Sequence, residues 1–141
     1  MFTWKEELVV GLQEIDDEHK ELFYLFQSLS SDINTGKDLA IIESAVAYLT
    51  NYTQVHFEKE EGFMKDFKYP AKQEQEHKKE HKKFTKDFSR LKTHMRKKGD
   101  ASLWSLQLEG FVHDWFVSHI QRTDRKLAAF LCKKLTKHQK K

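Results

Sequence analysis

Apolar residues return every three or four positions from Asp16 onward, and one proline and five glycines are the only strong breakers among 141 residues. That pattern favours a few long helices over many short strands, because strands need frequent turns. Four stretches carry the helical period. The first is expected from Asp16 or Asp17, where an aspartate can cap free amides, and its stripe reads Leu22, Phe23, Phe26, Leu29, Ile33 before Thr35-Gly36-Lys37 ends it. The second starts at about Asp38, carries Ile42, Ala45, Val46, Leu49, Phe63, Met64 and Phe67, and stops at Tyr69-Pro70. The third runs from about Pro70 to Lys98 through Phe84, Phe88, Leu91 and Met95, and Gly99-Asp100 closes it. The fourth begins near Ser102 and places Trp104, Leu108, Phe111, Val112, Trp115 and Phe116 inward. Short connections make successive helices antiparallel neighbours. The expected fold is therefore all-α: an up-down-up-down four-helix bundle over residues 16–135. An irregular arm (residues 1–15) precedes it, anchored by Trp4, Leu8 and Val10 with a turn at Gly11. A basic tail (residues 136–141) follows; the charge builds from Lys133.

Each stripe also carries residues that an apolar core disfavours. His19 lies on the first, His56 and Glu60 on the second, His77 and His81 on the third and His119 on the fourth. Asp124 follows five residues after His119. Depth can be measured from the end of the bundle that holds the first and third loops. At about 1.5 Å per residue, His19, His56, His81 and His119 fall about 24–27 Å down, and Glu60, His77 and Asp124 about 32–33 Å. All seven share one slab about 10 Å thick. Five imidazoles and two carboxylates at one buried level cannot satisfy one another, since neutral imidazoles need donors and acceptors and carboxylates need cations. A metal centre meets all of these needs. Seven donors exceed one first-row ion and suit two. Bridging carboxylates with imidazoles suit iron, and the lone Cys132 excludes a multi-thiolate site. His94, His113 and His138 fall off the stripes and are expected at the surface. His119 and Asp124 sit about 140° apart on an ideal helix, so a kink, bulge or helix end is expected between them.

Charge is unevenly spread. Residues 1–66 carry 5 Lys/Arg against 14 Asp/Glu, and residues 67–141 carry 20 against 8. The basic half raises nucleic acid as a partner. Its lysines alternate with glutamates at helical spacing and no aromatic or glycine-rich nucleic-acid motif accompanies them, so solvated helix faces are the expectation. The first residues do not read as a basic-then-apolar leader, and no uncharged apolar run approaches membrane-spanning length. A cytoplasmic setting and a monomer without membrane insertion are expected.

Several segments together resemble the hemerythrins, in particular the single-domain bacterial ones. They are Ile15-Asp16-Asp17-Glu18-His19 with Leu22-Phe23, His56-Phe57-Glu58-Lys59-Glu60-Glu61 with Met64 and Tyr69-Pro70, His77-xxx-His81-xx-Phe84, and Trp115-xxx-His119-Ile120-xxx-Asp124. They span Trp4 to about Leu131. Myohemerythrin is itself a standard up-down bundle, so the fold expectation and the resemblance are not independent. The resemblance implies a non-haem di-iron centre that binds O2 reversibly. His77, His81 and His119 would hold one coordinatively full iron, and His19 and His56 the other, which keeps an open position. Glu60 and Asp124 would bridge them beside an oxo or hydroxo group, and O2 would be held as hydroperoxide on the open iron. Trp115, Phe116 and Ile120 would wall the O2 pocket. Phe116 departs from the leucine usual there.

Two other classes compete. A ferritin-like di-iron oxidase or peroxidase would use two Glu-x-x-His pairs. Only Glu74-Gln-Glu-His77 matches, and Glu74 lies off the ligand level. A sensor of O2 or redox state would need a separate partner, because no output domain is attached. Carriage, storage or delivery of O2, to an O2-consuming enzyme or redox partner, is the leading expectation.

Overall fold

The computed structural model describes the backbone of residues 4–97 and 101–139 and the side chains of residues 4–93 and 106–135. His94, Met95, Trp104 and His138 lie outside the described side chains. Helix α1 spans Gln13–Asn34, α2 Leu39–Asp66 and α3 Ala71–Lys97. The fourth rod is composite. It begins as α4 (Ala101–Phe111), passes through two π-helical segments (Val112–Val117 and His119–Asp124), and continues as α5 (Arg125–Gln139). The described helical backbone thus runs to Gln139.

Cross-helix contacts run in opposite senses along each pair, so all four neighbours are antiparallel. Glu14 and Glu18 of α1 meet Lys59, and Glu18 meets His56. Gln54 meets Thr85 and Glu61 meets His81 between α2 and α3. Phe88 meets Phe111 and Glu80 meets His119 between α3 and the fourth rod. Ser30 of α1 meets Glu109, closing the ring. This is the expected up-down-up-down bundle, and no strand occurs among the described residues.

The helix ends follow local rules with two departures. Helix α1 starts at Gln13, three residues earlier than the aspartate signal suggested. Asp16 caps no amide of its own helix. Its carboxylate accepts from the Val10 and Gly11 amides at 2.8 and 3.2 Å, tying the arm to the bundle. Gly11 makes the turn at φ +98°. Among its described residues the arm holds one short 3-10 turn, Glu6–Leu8, with Leu8 buried and Trp4 edge-on to Phe23. At the far end of α1, the Lys37 amide bonds Asp32 and the Gly36 amide bonds Ile33, with Gly36 left-handed. This is the glycine-dependent helix stop. Helix α2 ends the same way, with the Tyr69 amide on Met64 and the Lys68 amide on Lys65, but a lysine holds the left-handed position at φ 57°.

Two apolar clusters fill the bundle. The larger includes Leu22, Phe23, Phe26, Phe57, Phe84 and Phe116, and the smaller Ile15, Met64, Tyr69, Leu127 and Leu131. Burying each large side chain contributes roughly 1.5–3 kcal/mol. On three of the four rods a residue of the polar layer lies between the two clusters in sequence: His19 between Ile15 and Leu22, Glu60 between Phe57 and Met64, Asp124 between Ile120 and Leu127. Among the described residues no helix is long and apolar enough to cross a membrane.

Candidate metal centre

The layer between the clusters gathers all seven inward polar residues. His19, His56, Glu60, His77, His81, His119 and Asp124 are each at most 3 % exposed. Their donor atoms form two overlapping groups. Glu60, His77, His81, His119 and Asp124 make one, and His19, His56, Glu60 and Asp124 the other, with donor atoms within 4.8 Å of one another in each. Glu60 and Asp124 belong to both.

The carboxylate oxygens are divided between the groups. Glu60 Oε1 lies 3.0 Å from His81 Nε2 and 3.6 Å from His77 Nε2, while Oε2 lies 3.4 Å from His56 Nε2 and 3.8 Å from His19 Nε2. Asp124 Oδ1 lies 3.0 Å from His77 Nε2 and 3.1 Å from His119 Nε2, while Oδ2 lies 3.0 Å from His19 Nε2. Only the His81–Glu60 contact has hydrogen-bond geometry. The Nε2 atoms of His19, His56, His77 and His119, with Glu60 Oε2 and both Asp124 oxygens, are buried without a hydrogen-bond partner. Donors bound about 2.1 Å from a common ion sit about 3 Å apart when adjacent. Close atoms that do not bond one another, in a buried site, fit a shared cation. The donor set therefore fits a metal, with nitrogen and oxygen ligands and no thiolate.

Asp124 reaches this layer because of the π winding. In an α-helix, residues five apart diverge. In a π-helix each turn closes i to i+5, so His119 and Asp124 come onto one face. The irregularity expected between them is this winding, carried through Val112–Val117 and His119–Asp124.

Three carboxylates that the sequence reading left without a role orient the histidines. Glu18 holds His56 Nδ1 at 2.6 Å, Glu61 holds His81 Nδ1 at 2.8 Å, and Glu80 holds His119 Nδ1 at 2.6 Å. Each fixes its ring with Nε2 facing the centre. Each sits next to a donor in sequence yet serves the following helix: α1 to α2, α2 to α3, α3 to the fourth rod. That adjacency, a glutamate beside His19, Glu60 and His81, was the available signal. Lys59 bonds Glu18 at 2.8 Å, and Thr123 donates to Glu80.

Without metal, the layer is a set of charges held by one another. Burial pushes the His56 imidazole down, but the Glu60 carboxylate and the Glu18 bond outweigh it and lift it to about 10. His119 is likewise disfavoured by burial and raised by Asp124 and Glu80 to about 10. His77 is raised by Asp124 and Glu60 against burial. Burial pushes Glu60 and Asp124 up, and the Asp124 charge adds to this for Glu60, yet the surrounding imidazoles hold both well below the usual carboxylate range. Glu18 and Glu80 are held low against burial by His56 and His119 respectively.

The aromatic residues flank particular ligands. Trp115 stacks on His119 at 4.7 Å, and Phe116 meets His19 edge-on at 5.9 Å. Ile120 is fully buried. Phe57, not singled out from the sequence as a wall residue, stacks on His81 at 3.9 Å. Glu74 pairs with Lys78 on the flank of α3 and is in neither donor group. His113 is exposed, as its position off the stripe implied.

Comparison with known proteins agrees with this geometry. The family described as "Hemerythrin HHE cation binding domain" matches residues 10–131. A bacteriohemerythrin of Pseudomonas paraeruginosa is 31% identical over 122 residues, covering 86% of this chain and 76% of its own length. A bacteriohemerythrin of Clostridium acetobutylicum is 32% identical over 73 residues, 49% of this chain and 56% of that protein. A hemerythrin-like protein of Naegleria gruberi is 29% identical over 130 residues, covering 92% and 93% of the two chains. With a match across nearly the whole bundle and a buried donor layer at its centre, the chain belongs to the hemerythrin family.

Proposed function

We propose that this chain binds O2 reversibly at a non-haem di-iron centre. His77, His81 and His119 would hold one iron, His19 and His56 the other, and Glu60 and Asp124 would span both beside an oxo or hydroxo bridge. The observation that carries this reading is the division of the carboxylate oxygens, one turned to each histidine group. Donor count supports the division of labour. One group offers five donors and the other four, so with a shared bridge the first ion would be saturated and the second would keep a position for a gas ligand. With iron bound, the pair supplies one electron from each ion to O2 and recovers both on release.

The chain's own residues do the rest. Glu18, Glu61 and Glu80 fix three ring orientations, so the site needs little rearrangement when loaded. Phe116 closes the side beside His19, while Trp115 and Phe57 cover His119 and His81. Such apolar walls exclude water and limit proton leakage. Two carboxylates among five imidazoles leave less negative charge than a four-carboxylate site, which favours holding oxygen over cleaving it. The protein is accordingly a carrier, store or donor of O2 rather than an oxidase. Iron analysis with visible spectra through cycles of argon and air tests this. Two irons per chain and a colour that appears in air and fades under argon are expected. Sustained oxidation of an added electron donor, coupled to O2 consumption, would make it an enzyme instead.

A further inference from the structure

An open groove of about 680 Å3 runs between α2 and α3, with Phe57 and His81 among its lining residues. Its α3 side carries Lys82, Lys86 and Arg90, spaced four residues apart and therefore aligned in one row on the helix, while Glu58 and Glu61 line the α2 side, leaving the cations in excess by one. All three are exposed, and none forms an ion pair with a described residue, whereas Lys59, Lys78 and Lys83 are each matched to a carboxylate. The groove also reaches the metal layer. Glu61, part-exposed in its wall, bonds His81 Nδ1 at 2.8 Å, and Phe57 stacks flat on the same ring. A group seated there is one hydrogen bond or one ring contact from a histidine of the five-donor group. The site proposed for O2 makes no use of this row or of the basic charge of the second half of the chain.

We infer that the groove is a docking surface for a small acidic one-electron carrier protein of the iron–sulfur or flavin class, which restores the reduced state of the centre. This rests on the di-iron reading. The electron balance is simple: two docking events each deliver one electron, each oxidising one carrier and reducing one ferric ion to ferrous. The cationic row supplies the charge complementarity that steers an acidic partner, and the stacked Phe57–His81 pair supplies the short path inward.

The test uses an acidic plant-type [2Fe–2S] ferredoxin as the probe and two variants of equal charge. One reverses the groove (Lys82→Glu, Lys86→Glu, Arg90→Glu). The other reverses cations elsewhere (Lys72→Glu, Lys126→Glu, Lys133→Glu). Calorimetric titration of oxidised ferredoxin into metal-free and zinc-loaded protein is expected to show salt-sensitive binding that the groove variant weakens at least about tenfold and the control variant far less. Reduction of the diferric protein by reduced ferredoxin should slow by a similar factor in the groove variant, while reduction by a neutral quinol stays unchanged. Equal losses in both variants would reduce the effect to net charge and overturn the inference. So would wild-type behaviour of the groove variant, or duplex DNA displacing ferredoxin from this face. The metal-free arm separates the two claims. Docking there survives if the iron reading fails, and argon–air cycling on the same samples survives if docking fails.

Discussion

His56 and His119 dominate the alkaline behaviour of the centre, with His77 raised beside them. Without metal, His56 and His119 keep their protons up to about pH 10. These folded values lie above the unfolded value of about 6.5, so the stabilisation is fully present below about pH 6.5 and is lost as pH rises toward 10. Metal-free protein should therefore lose melting temperature between about pH 7 and 10, whereas loaded protein should not. A metal must displace the same protons, so apparent affinity for zinc should keep rising across that window instead of levelling near pH 7.5. Chelator competition at stepped pH measures this, and an early plateau would show ordinary imidazoles. Phe116 has a separate role. It touches His19, Phe23, Phe26 and Phe84. Phe116→Leu should cost about 1–2 kcal/mol in denaturant melts and, under the proposed O2 binding, speed exchange of the gas, because it leaves a void beside His19. Unchanged exchange rates would detach Phe116 from gas access. Six residues of the layer were legible in the sequence because a histidine or glutamate on an apolar stripe conflicts with its surroundings, whereas Asp124 lies off the ideal stripe and was placed only by its depth. Glu18, Glu61 and Glu80 were not legible, because a half-exposed glutamate on a charged helix looks like any solvated residue.

At the scale of elements, α1 and α2 use the same stop with different residues. Gly36 takes the left-handed position at no cost, and Lys68 holds it against the clash of its own Cβ. Lys68→Gly should raise stability by about 0.5–1 kcal/mol, read as a higher denaturant midpoint at unchanged slope. A lower midpoint would mean that the lysine side chain secures the turn. The end of α1 could be read from Gly36, and that of α2 from Pro70, but nothing in the letter at position 68 announces a left-handed lysine. The π winding was half legible. The five-residue step from His119 to Asp124 demanded a departure from α geometry, and only the coordinates show that it spreads over two segments. The start of α1 was misread because Asp16 has the right side chain for a cap but bonds the arm instead.

At the scale of the molecule, antiparallel rods bring together residues far apart in sequence, and each interface from α1 to the fourth rod is stitched by a glutamate reaching to the next histidine. The connection at residues 67–70 separates His19, His56 and Glu60 from His77, His81, His119 and Asp124. Each shared carboxylate nevertheless faces histidines from both sides of that connection. The metal pair would therefore act as a clasp across the chain's midpoint. If a protease site is inserted at this connection and cut, the loaded halves should travel as one particle in gel filtration, and stripping the metal should let them come apart. A severed backbone would then lean on its ions as well as on the apolar clusters that span both halves, so that losing the cofactor loosens the grip of one half on the other.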